Sequence, residues 1–322
     1  MPKTKIKKII GFIIAFAVAV ILPHFVGGYL LYVLNVAIVY AIASFGMNIL
    51  VGYTNQMSLG NGAFFGVGAY VVGILVYKLQ WIPFLVALPV AGMVSAGFGF
   101  IIGLPSIRTK DIYLAIATLG FGLLFEQGIT NWRSLTGGAQ GMAVGKSVLS
   151  CGSLSFESDI GYYYFALVIA AALLFVGSNL MQGKFGRSFR AIKDSEIAAQ
   201  AIGINVTKYK LIAFVVSAFF TGIAGAVYAP YISYLSAPMF SIFLAIALLT
   251  MAVIGGLGSI LGSILGAVFV ILTPEALRVV GLGEAQTFFY AVAMIIILIA
   301  FPSGVAGGVY SGLRKIGLLE RN

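Results

Sequence analysis

The sequence has few charged side chains, a single cysteine and a single histidine. Charged residues occupy 9% of its 322 positions and apolar residues 61%, whereas a typical soluble domain has about 25% charged residues. This composition excludes an ordinary soluble fold. The lone Cys151 excludes an internal disulfide and a multi-cysteine metal site, and the lone His24 excludes a cluster of histidine ligands. We therefore expect this chain to bind no metal ion.

Motifs for nucleotide binding and catalysis are missing as well. The segment GMAVGKS at 141–147 ends like a phosphate-binding loop, but only three residues separate its glycines where that loop requires four. The segment GVGAYV at 66–71 lacks the third glycine of a dinucleotide-binding turn. No serine–histidine–aspartate set and no paired carboxylates emerge elsewhere. We predict that the chain is not an enzyme and binds no cofactor of its own.

Long apolar windows dominate what is present. A membrane-spanning helix needs about 20 apolar residues. Ten windows approach that length, at residues 9–26, 29–51, 59–77, 82–104, 112–131, 161–181, 210–231, 238–257, 259–273 and 285–303. The windows at 238–257 and 259–273 share one barely interrupted apolar run, which leaves eight or nine spans as alternatives. The prediction is an all-α, polytopic bundle of about ten transmembrane helices.

The net charge of +10 invites a nucleic-acid interpretation, so the position of the charges decides its meaning. The segment MPKTKIKK places four lysines before the first apolar window, which by the positive-inside rule puts that end in the cytoplasm. When the windows alternate in direction from there, 15 of the 19 Lys and Arg residues fall on the cytoplasmic side. The charge therefore indicates membrane orientation with both termini cytoplasmic, and nucleic acid is not an expected partner.

A compact charged segment interrupts the apolar pattern at residues 183–210, here termed the charged island. It reads GKFGRSFRAIKDSEIAAQAIGINVTKYK and holds six Lys or Arg residues. Within it, DSEIAAQAIG predicts a short helix, because Asp194 or Ser195 can cap its start and Gly203 can end it. A solvated loop whose charges only set the membrane orientation is the simpler interpretation, but it does not explain a capped helix.

The predicted short helix carries one apolar stripe formed by Ile197, Ala198, Ala201 and Ile202. Such a stripe is too small to span a bilayer, and its surface suits docking into a groove of a cytoplasmic partner. Three cations immediately before the helix are expected to meet lipid phosphates or acidic residues of that partner: Arg187, Arg190 and Lys193. The charged island is thus the first candidate functional site.

A second polar interruption, GYTNQMSLGNG at residues 52–62, carries Tyr53, Thr54, Asn55, Gln56, Ser58 and Asn61. Polar backbone at membrane depth is tolerated only inside protein or beside a water-filled cavity. Two interpretations stay open: a short cytoplasmic turn between two spans, or a broken helix that borders a passage. The second interpretation would make this stretch part of a transport pathway.

Small residues recur at four-residue spacing within several windows. GSILGSILG places Gly258, Gly262 and Gly266 four apart, and Gly222 has alanines at the same spacing on both sides. Lipid gives no hydrophobic gain for helix association, so close backbone approach at small residues has to supply the packing contacts. We therefore assign Gly222, Gly258, Gly262 and Gly266 to tight helix packing.

Ionisable side chains deep in the membrane often mark ion-coupled transport. Glu126 is the only candidate of this kind, and Arg133 follows it two helical turns later. We favour a structural pair near the membrane surface over a proton relay. An ion-coupled secondary transporter is nevertheless the alternative function that this residue keeps open.

Four stretches resemble the permeases of branched-chain amino acid ABC importers. GRSFRAIKDSEIAAQAIGINVTKYKLIAFVVSAFFTGIAGAVYA resembles the cytoplasmic loop and following span of these permeases. LVGYTNQMSLGNGAFFGVGAYV looks like their early signature, and IGGLGSILGSILGAVFVILTPEALR looks like their late one. TLGFGLLFEQGITNWRSLTGGAQGM is similar to the M-type subunit rather than to its H-type sister. The resemblance runs from about residue 30 to 305.

The resemblance implies one permease domain over residues 1–322, in the prokaryotic plasma (inner) membrane, with a cytoplasmic coupling loop at about 182–209 and an extracytoplasmic loop at about 132–160. The implied partners are an H-type second permease, two ABC ATPase subunits, an extracytoplasmic substrate-binding protein and membrane lipid. ATP and Mg would be bound by the ATPases, which accounts for the missing nucleotide motifs. The implied substrate is leucine, isoleucine or valine, with urea, amides and other amino acids as alternatives.

The same resemblance implies roles for three groups of residues. Docking to the ATPase is expected of Arg187, Arg190, Asp194, Glu196, Ala198, Ala199 and Gly203. Lining of the translocation pathway is expected of Asn55, Gln56, Ser58, Asn61 and Gly62. Contact with the binding protein is expected of Thr136, Gly137 and Gly138.

Overall fold

The computed structural model describes residues 19–107, 111–145, 150–151, 154–156 and 158–279, together with positions 292, 304, 305 and 307. The helices are α1 (Gly28–Asn48), α2 (Asn61–Val72), α3 (Phe84–Gly103), α4 (Asp111–Asn131), α5 (Arg133–Thr136), α6 (Asp159–Gln182), α7 (Lys184–Asp194), α8 (Glu196–Ala201), α9 (Val206–Ile232), α10 (Ile242–Gly255) and α11 (Ile260–Val279). Helices α1 and α2 continue as π-helical segments, Ile49–Tyr53 and Gly73–Lys78. Short 3-10 helices lie at Leu22–His24, Leu104–Ile107, Gly138–Gln140 and Ala237–Phe240. Two small antiparallel pairs join β1 (Met142–Ala143) to β4 (Tyr234–Leu235) and β2 (Ser150–Cys151) to β3 (Leu154–Ser155).

Eight helices in the described part of the chain are long and apolar enough to cross a membrane, which confirms the predicted all-α transmembrane bundle. They coincide with the predicted windows from 29–51 to 259–273. The windows at 9–26 and 285–303 lie largely outside the described residues. The apolar run at 238–273 holds two spans because the turn between α10 and α11 contains Gly256 and Gly258, with φ angles of 123° and 79° that favour glycine.

Helix α9 forms the centre of the bundle and packs against α1, α2 and α3. Helix α2 approaches it so closely that a β-carbon added at Gly68 would lie 1.8 Å from the carbonyl oxygen of Gly222. A β-carbon added at Gly222 would lie 2.2 Å from Ser95 Oγ on α3. Larger side chains at these positions would force the helices apart, so small residues set the distance between them.

Helices α10 and α11 meet in a similar way. A β-carbon added at Gly266 would lie 1.9 Å from the carbonyl oxygen of Met251, and the backbone at Gly262 is approached almost as closely. Gly258, assigned to the same helix face, lies instead in the turn before α11, where its amide donates to Asn48 Oδ1 at 2.8 Å. The repeat of small residues on α11 therefore consists of Gly262 and Gly266.

Helix α1 runs antiparallel to α9, and α2 runs parallel to it. Asn35, near the start of α1, donates to the Tyr231 hydroxyl near the end of α9 at 3.0 Å. Asn61, at the start of α2, donates to Ser217 Oγ in the first half of α9 at 3.0 Å, and the end of α2 lies beside β4. Residues 54–60 therefore reverse the chain between two antiparallel helices. This reversal agrees with a turn between two spans, and the bordering of a passage by the polar stretch stays a prediction.

The charged island and the 132–160 loop lie at opposite ends of α9. The charged island leads directly into the start of α9, whereas β1 of the loop pairs with β4 just beyond its end. With 27 residues, α9 is about 40 Å long, which is the thickness of a bilayer with its headgroups. The fold thus separates the two candidate surfaces by a full membrane.

Candidate functional site

The charged island folds as two helices, α7 and α8, where the sequence predicted one. The predicted helix is α8: Ser195 Oγ accepts from the amide of Ala198 at 3.3 Å, and Gly203 ends it with a φ of 82°. Helix α7 was missed because its charged residues obscured an apolar face. The sequence signal for this helix is the three-residue spacing of Phe189 and Ile192, and both side chains are buried.

Helix α8 presents an exposed apolar stripe. Ile197 is 82% exposed and Ile202 is 73% exposed, and Ala198 is exposed between them. Ala199 differs from the other members of the predicted docking set, because it is 1% exposed and packs with Ile192 and Val206. Its side chain is therefore unavailable to a partner, and its role is to seat α8 on the chain's own helices.

Several charges of the island are bound within the chain itself. Glu196 on α8 forms an ion pair with Lys210 on α9, and the Lys210 side chain is only 9% exposed. The Arg190 guanidinium donates to the carbonyls of Met181 at 3.2 Å and Gly186 at 3.1 Å. These side chains hold α8 and α7 against the bundle. From the sequence alone, their charges were assigned to membrane orientation or to docking.

The remaining charges of the predicted docking set are free of such contacts. Arg187 and Asp194 are exposed and form no ion pair within the described residues. Gly203 is exposed too, and a β-carbon added there would meet no atom within 4 Å. Within the predicted docking set, the exposed residues without such contacts are therefore Arg187, Asp194, Ala198 and Gly203.

The predicted pathway residues lie mostly inside the chain. Asn55 is exposed, with a φ of 54°. Gln56, Ser58 and Asn61 are at most 1% exposed and bind other polar groups of the bundle, as in the 3.1 Å bond from Ser58 Oγ to Asn61 Oδ1. Gly62 packs against the backbone before α10. The buried members hold the 54–60 turn in place through these bonds, although Gln56 Oε1 has no hydrogen-bond partner among the described residues.

Thr136, Gly137 and Gly138 form a turn in the 132–160 loop. Thr136 Oγ1 is buried, donates to the carbonyls of Ile129 and Trp132 at 2.7 Å each and accepts from the Gly138 amide at 3.2 Å. Gly137 and Gly138 have φ angles of 80° and 64°. The side chain that the sequence assigned to a partner thus points inward, and the indole of Trp132, 60% exposed, forms the neighbouring surface.

Ion-coupling and metal-binding residues are not assembled in the described part of the chain. Glu126 on α4 is half-buried, and no ion pair joins it to Arg133 among the described residues. No group of three or more His, Cys, Asp or Glu side chains able to hold a metal ion occurs within those residues. The two surfaces at the ends of α9 are therefore the sites that a function has to explain.

The chain matches the family described as branched-chain amino acid transport system, permease component, over residues 29–301. The LivM permease protein of the high-affinity branched-chain amino acid transport system of Salmonella typhimurium is 30% identical over 89% of this chain and 72% of that protein. LivM of Escherichia coli is 29% identical over 91% of this chain and 74% of that protein. LivH of Salmonella typhimurium is 22% identical over 83% of this chain and 91% of that protein. With its bundle of apolar helices, the chain is therefore a multi-pass membrane protein that belongs to the permease components of branched-chain amino acid transport systems.

Proposed function

We propose that this chain is one of the two permease subunits of an ATP-binding-cassette importer. It forms the passage together with an H-type permease, and two ATPase subunits bind ATP and Mg and drive transport. An extracytoplasmic binding protein delivers leucine, isoleucine or valine. The charged island and both termini lie in the cytoplasm of a prokaryotic cell, and the bundle spans its plasma (inner) membrane. The similarity to both LivM and LivH proteins supports a pair of related permeases.

The exposed stripe of α8 is the observation that carries this proposal. Ile197 and Ile202 are large, exposed apolar side chains that precede the start of the span α9. Exposed apolar groups that are presented by a fixed helix are typical of surfaces that dock into a groove. The ion pair from Glu196 and the buried Ala199 hold that helix in one orientation. We assign the stripe to a cleft of the ATPase.

Arg187 and Asp194 are exposed charges of the segment that precedes the stripe, and we assign them to selection of the partner. Rim charges mainly set the rate and specificity of association, whereas the apolar centre supplies most of the affinity. Arg190, Glu196 and Ala199 contribute indirectly, because their side chains hold α7 and α8 on the bundle. The docking surface is therefore smaller than the set of residues expected from the sequence.

At the other end of α9, the exposed part of the 132–160 loop is assigned to the binding protein. Trp132 is a large amphipathic side chain of the kind that is enriched at protein interfaces. The turn at Thr136, Gly137 and Gly138 holds this surface in shape. Of the pathway candidates, Asn55 is the one that has an accessible side chain, and the others support its turn.

The test is a pull-down of the tagged chain from its native membrane in mild detergent. Ala198→Arg places a long cation in the middle of the exposed stripe without touching the buried Ala199. Ala139→Arg makes the same change on an exposed residue of the 132–160 loop and serves as the matched control. We expect wild type and Ala139→Arg to retain the ATPases, and Ala198→Arg to lose them while still inserting normally. Retention of the ATPases by Ala198→Arg would contradict the docking role.

A further inference from the structure

Helix α7 carries two cations that bind the carboxyl ends of two different membrane spans. The Arg190 guanidinium reaches the carbonyl of Met181 at the end of α6, and Lys193 Nζ reaches the carbonyl of Gly52 at 2.7 Å, at the end of α1 and its π-helical segment. The last four carbonyls of a helix lack partners within it, and the helix dipole makes that end favourable for a cation. Both contacts therefore stabilise the ends of spans.

The two contacts differ in how far they reach along the chain. Arg190 binds α6, which immediately precedes α7 in sequence, so its contact fixes a local corner. Lys193 lies 141 positions from Gly52 and joins α7 to a helix with which it shares no connecting segment. Lys193 is therefore the cation through which α7 reaches the core of the bundle.

Gly52 lies at a crowded junction. A β-carbon added there would lie 1.8 Å from Asn48 Oδ1 and 2.4 Å from the amide nitrogen of Gly258. Asn48, one turn earlier on the same face, is fully buried and binds the turn between α10 and α11. Its amide nitrogen donates to the Ser259 carbonyl at 2.9 Å and to Ser263 Oγ at 2.8 Å, and its oxygen accepts from Gly258. The end of α1 is thus bonded both to the α10–α11 turn and to Lys193, and a β-carbon added at Gly258 in that turn would lie 3.8 Å from Lys193 Nζ.

The segment that Lys193 contacts, Ile49–Tyr53, is π-helical. Such segments form backbone hydrogen bonds over five residues rather than four and are frequent at functional sites. A chain of direct contacts therefore leads from α8 through Ala199 and Ile192 to α7, through Lys193 to Gly52, and through Asn48 to the α10–α11 turn.

We propose that Lys193 is a positioning residue for transport, which transmits displacement of the docking helix α8 to α1 and to the α10–α11 turn. The inference rests on the proposed function, because it requires that α8 is moved by the ATPase. The bond to Gly52 makes α7 and the end of α1 move as one body. Without it, α7 still packs against the bundle, with the Phe189 ring 6.3 Å from that of Tyr209 on α9, but the bond from α7 to the Gly52 carbonyl is lost.

The test measures substrate transported per ATP hydrolysed by the complete complex in proteoliposomes. Lys193→Met keeps most of the side-chain length and removes the cation, and Lys193→Arg restores it. Lys184→Met removes a cation from the same helix, at an exposed residue whose side chain forms no hydrogen bond or ion pair within the described residues, and serves as the control. We expect Lys193→Met to lower the transport per ATP by about tenfold, Lys193→Arg to recover most of it, and Lys184→Met to match wild type.

Retention of the ATPases in the pull-down distinguishes failure of this inference from failure of the proposed function. If Lys193→Met keeps its ATPases in the pull-down and transports as much per ATP as wild type, Lys193 has no positioning role. If wild type retains no ATPase, the proposed function itself fails. A transport ratio lowered equally by Lys184→Met would also overturn the inference, because the effect would then arise from net charge.

A second variant avoids any effect of Lys193→Met on folding. In a Cys151→Ser background, Lys193→Cys is purified as the folded complex and only then modified at this exposed position. Aminoethyl methanethiosulfonate restores a cation on a stem of similar length, and ethyl methanethiosulfonate adds a neutral stem. We expect the aminoethylated complex to transport severalfold more per ATP than the ethylated one. Equal ratios would overturn the inference.

Discussion

The two ends of α9 are attached to the rest of the molecule by different kinds of contact. At the end near the 132–160 loop, backbone meets backbone: Met142 pairs with Leu235 in the β1–β4 ladder, and a β-carbon added at Gly141 would lie 2.4 Å from the Leu235 carbonyl oxygen. At the end near the charged island, Lys193 and Lys210 bind α7 and α8 to the bundle through long side chains, beside close backbone contacts at Gly52 and Gly186. Strand pairing thus holds the loop at one end, and long cations help to hold the helices at the other.

This difference indicates which end is built to move. Close backbone packing permits few arrangements, because any shift creates overlaps or unpaired polar groups. Lysine side chains have several rotatable bonds, so an element that they tether can be displaced while the bond persists. We infer that the island end receives motion and that the loop end provides a fixed frame.

A pair of glycines with the same backbone conformation tests this comparison most strongly. Gly137 and Gly203 have φ angles of 80° and 82°. A β-carbon added at Gly137 would lie 1.9 Å from the Gly141 carbonyl oxygen, whereas a β-carbon added at Gly203 would have no atom within 4 Å. Gly137→Ala should lower the free energy of unfolding by about 3 kcal/mol, from backbone strain and overlap together. Gly203→Ala should cost only the strain, about 1 kcal/mol.

The measurement for this pair is the temperature at which the detergent-solubilised protein loses its monodisperse peak. Gly137→Ala is expected to lower the temperature and the folded yield clearly more than Gly203→Ala does. Equal effects would mean that the loop end rearranges as readily as the island end, and the assignment of a fixed frame would be wrong.

The next largest loss of stability is expected at Asn48, the buried side chain that binds the α10–α11 turn near the charged island. Asn48→Ala leaves the Gly258 amide and Ser263 without their bonds to this side chain, which should lower the free energy of unfolding by about 2–3 kcal/mol. Asn205→Ala removes an exposed asparagine that caps α9 through the Lys208 amide at 2.9 Å, and it should cost about 1 kcal/mol. Thermal unfolding of both variants checks the difference, and a smaller loss for Asn48→Ala would show that the α10–α11 turn holds itself.

The spans could be predicted from the sequence because lipid constrains the whole length of a helix to be apolar and internally hydrogen-bonded. The capped helix α8 could be predicted as well, since Ser195 and Gly203 are local signals. The burial of Ala199 could not, because it depends on Ile192 and Val206 in other helices. No periodicity within one segment contains that information.

The contacts of the charged side chains were also beyond the sequence. Positive residues at helix ends satisfy the positive-inside rule whether they face lipid, a partner or a carbonyl of their own chain. Lys193 binds Gly52 only because α7 folds back beneath the end of α1. At Thr136, by contrast, the sequence contained a signal that was overlooked: two consecutive glycines after a threonine are typical of a turn rather than of a contact surface.

A smaller effect is expected from the ion pair that orients α8. The Glu196 side chain is 46% exposed and that of Lys210 only 9%. Removal of the Glu196 carboxylate should therefore lower the free energy of unfolding more than removal of the Lys210 ammonium does. Glu196→Gln leaves a buried ammonium without its partner and should lower the free energy of unfolding by about 1 kcal/mol, whereas Lys210→Met only releases an exposed carboxylate. Thermal unfolding at low and high salt measures both variants, and a larger loss for Lys210→Met would contradict this asymmetry.

The smallest effect is expected from Lys78, the tethering cation at the fixed end. Its ammonium donates to the carbonyls of Ser134 and Leu135 in the short helix α5, at an exposed site. Lys78→Met should lower the free energy of unfolding by only about 0.5 kcal/mol, because water replaces the lost bonds. It should also leave the transport per ATP unchanged, since β1–β4 pairing still holds the loop. The comparison with Lys193→Met in the same proteoliposomes is decisive. If both substitutions lower the transport per ATP, a tethering cation matters at either end, and motion is not confined to the charged island.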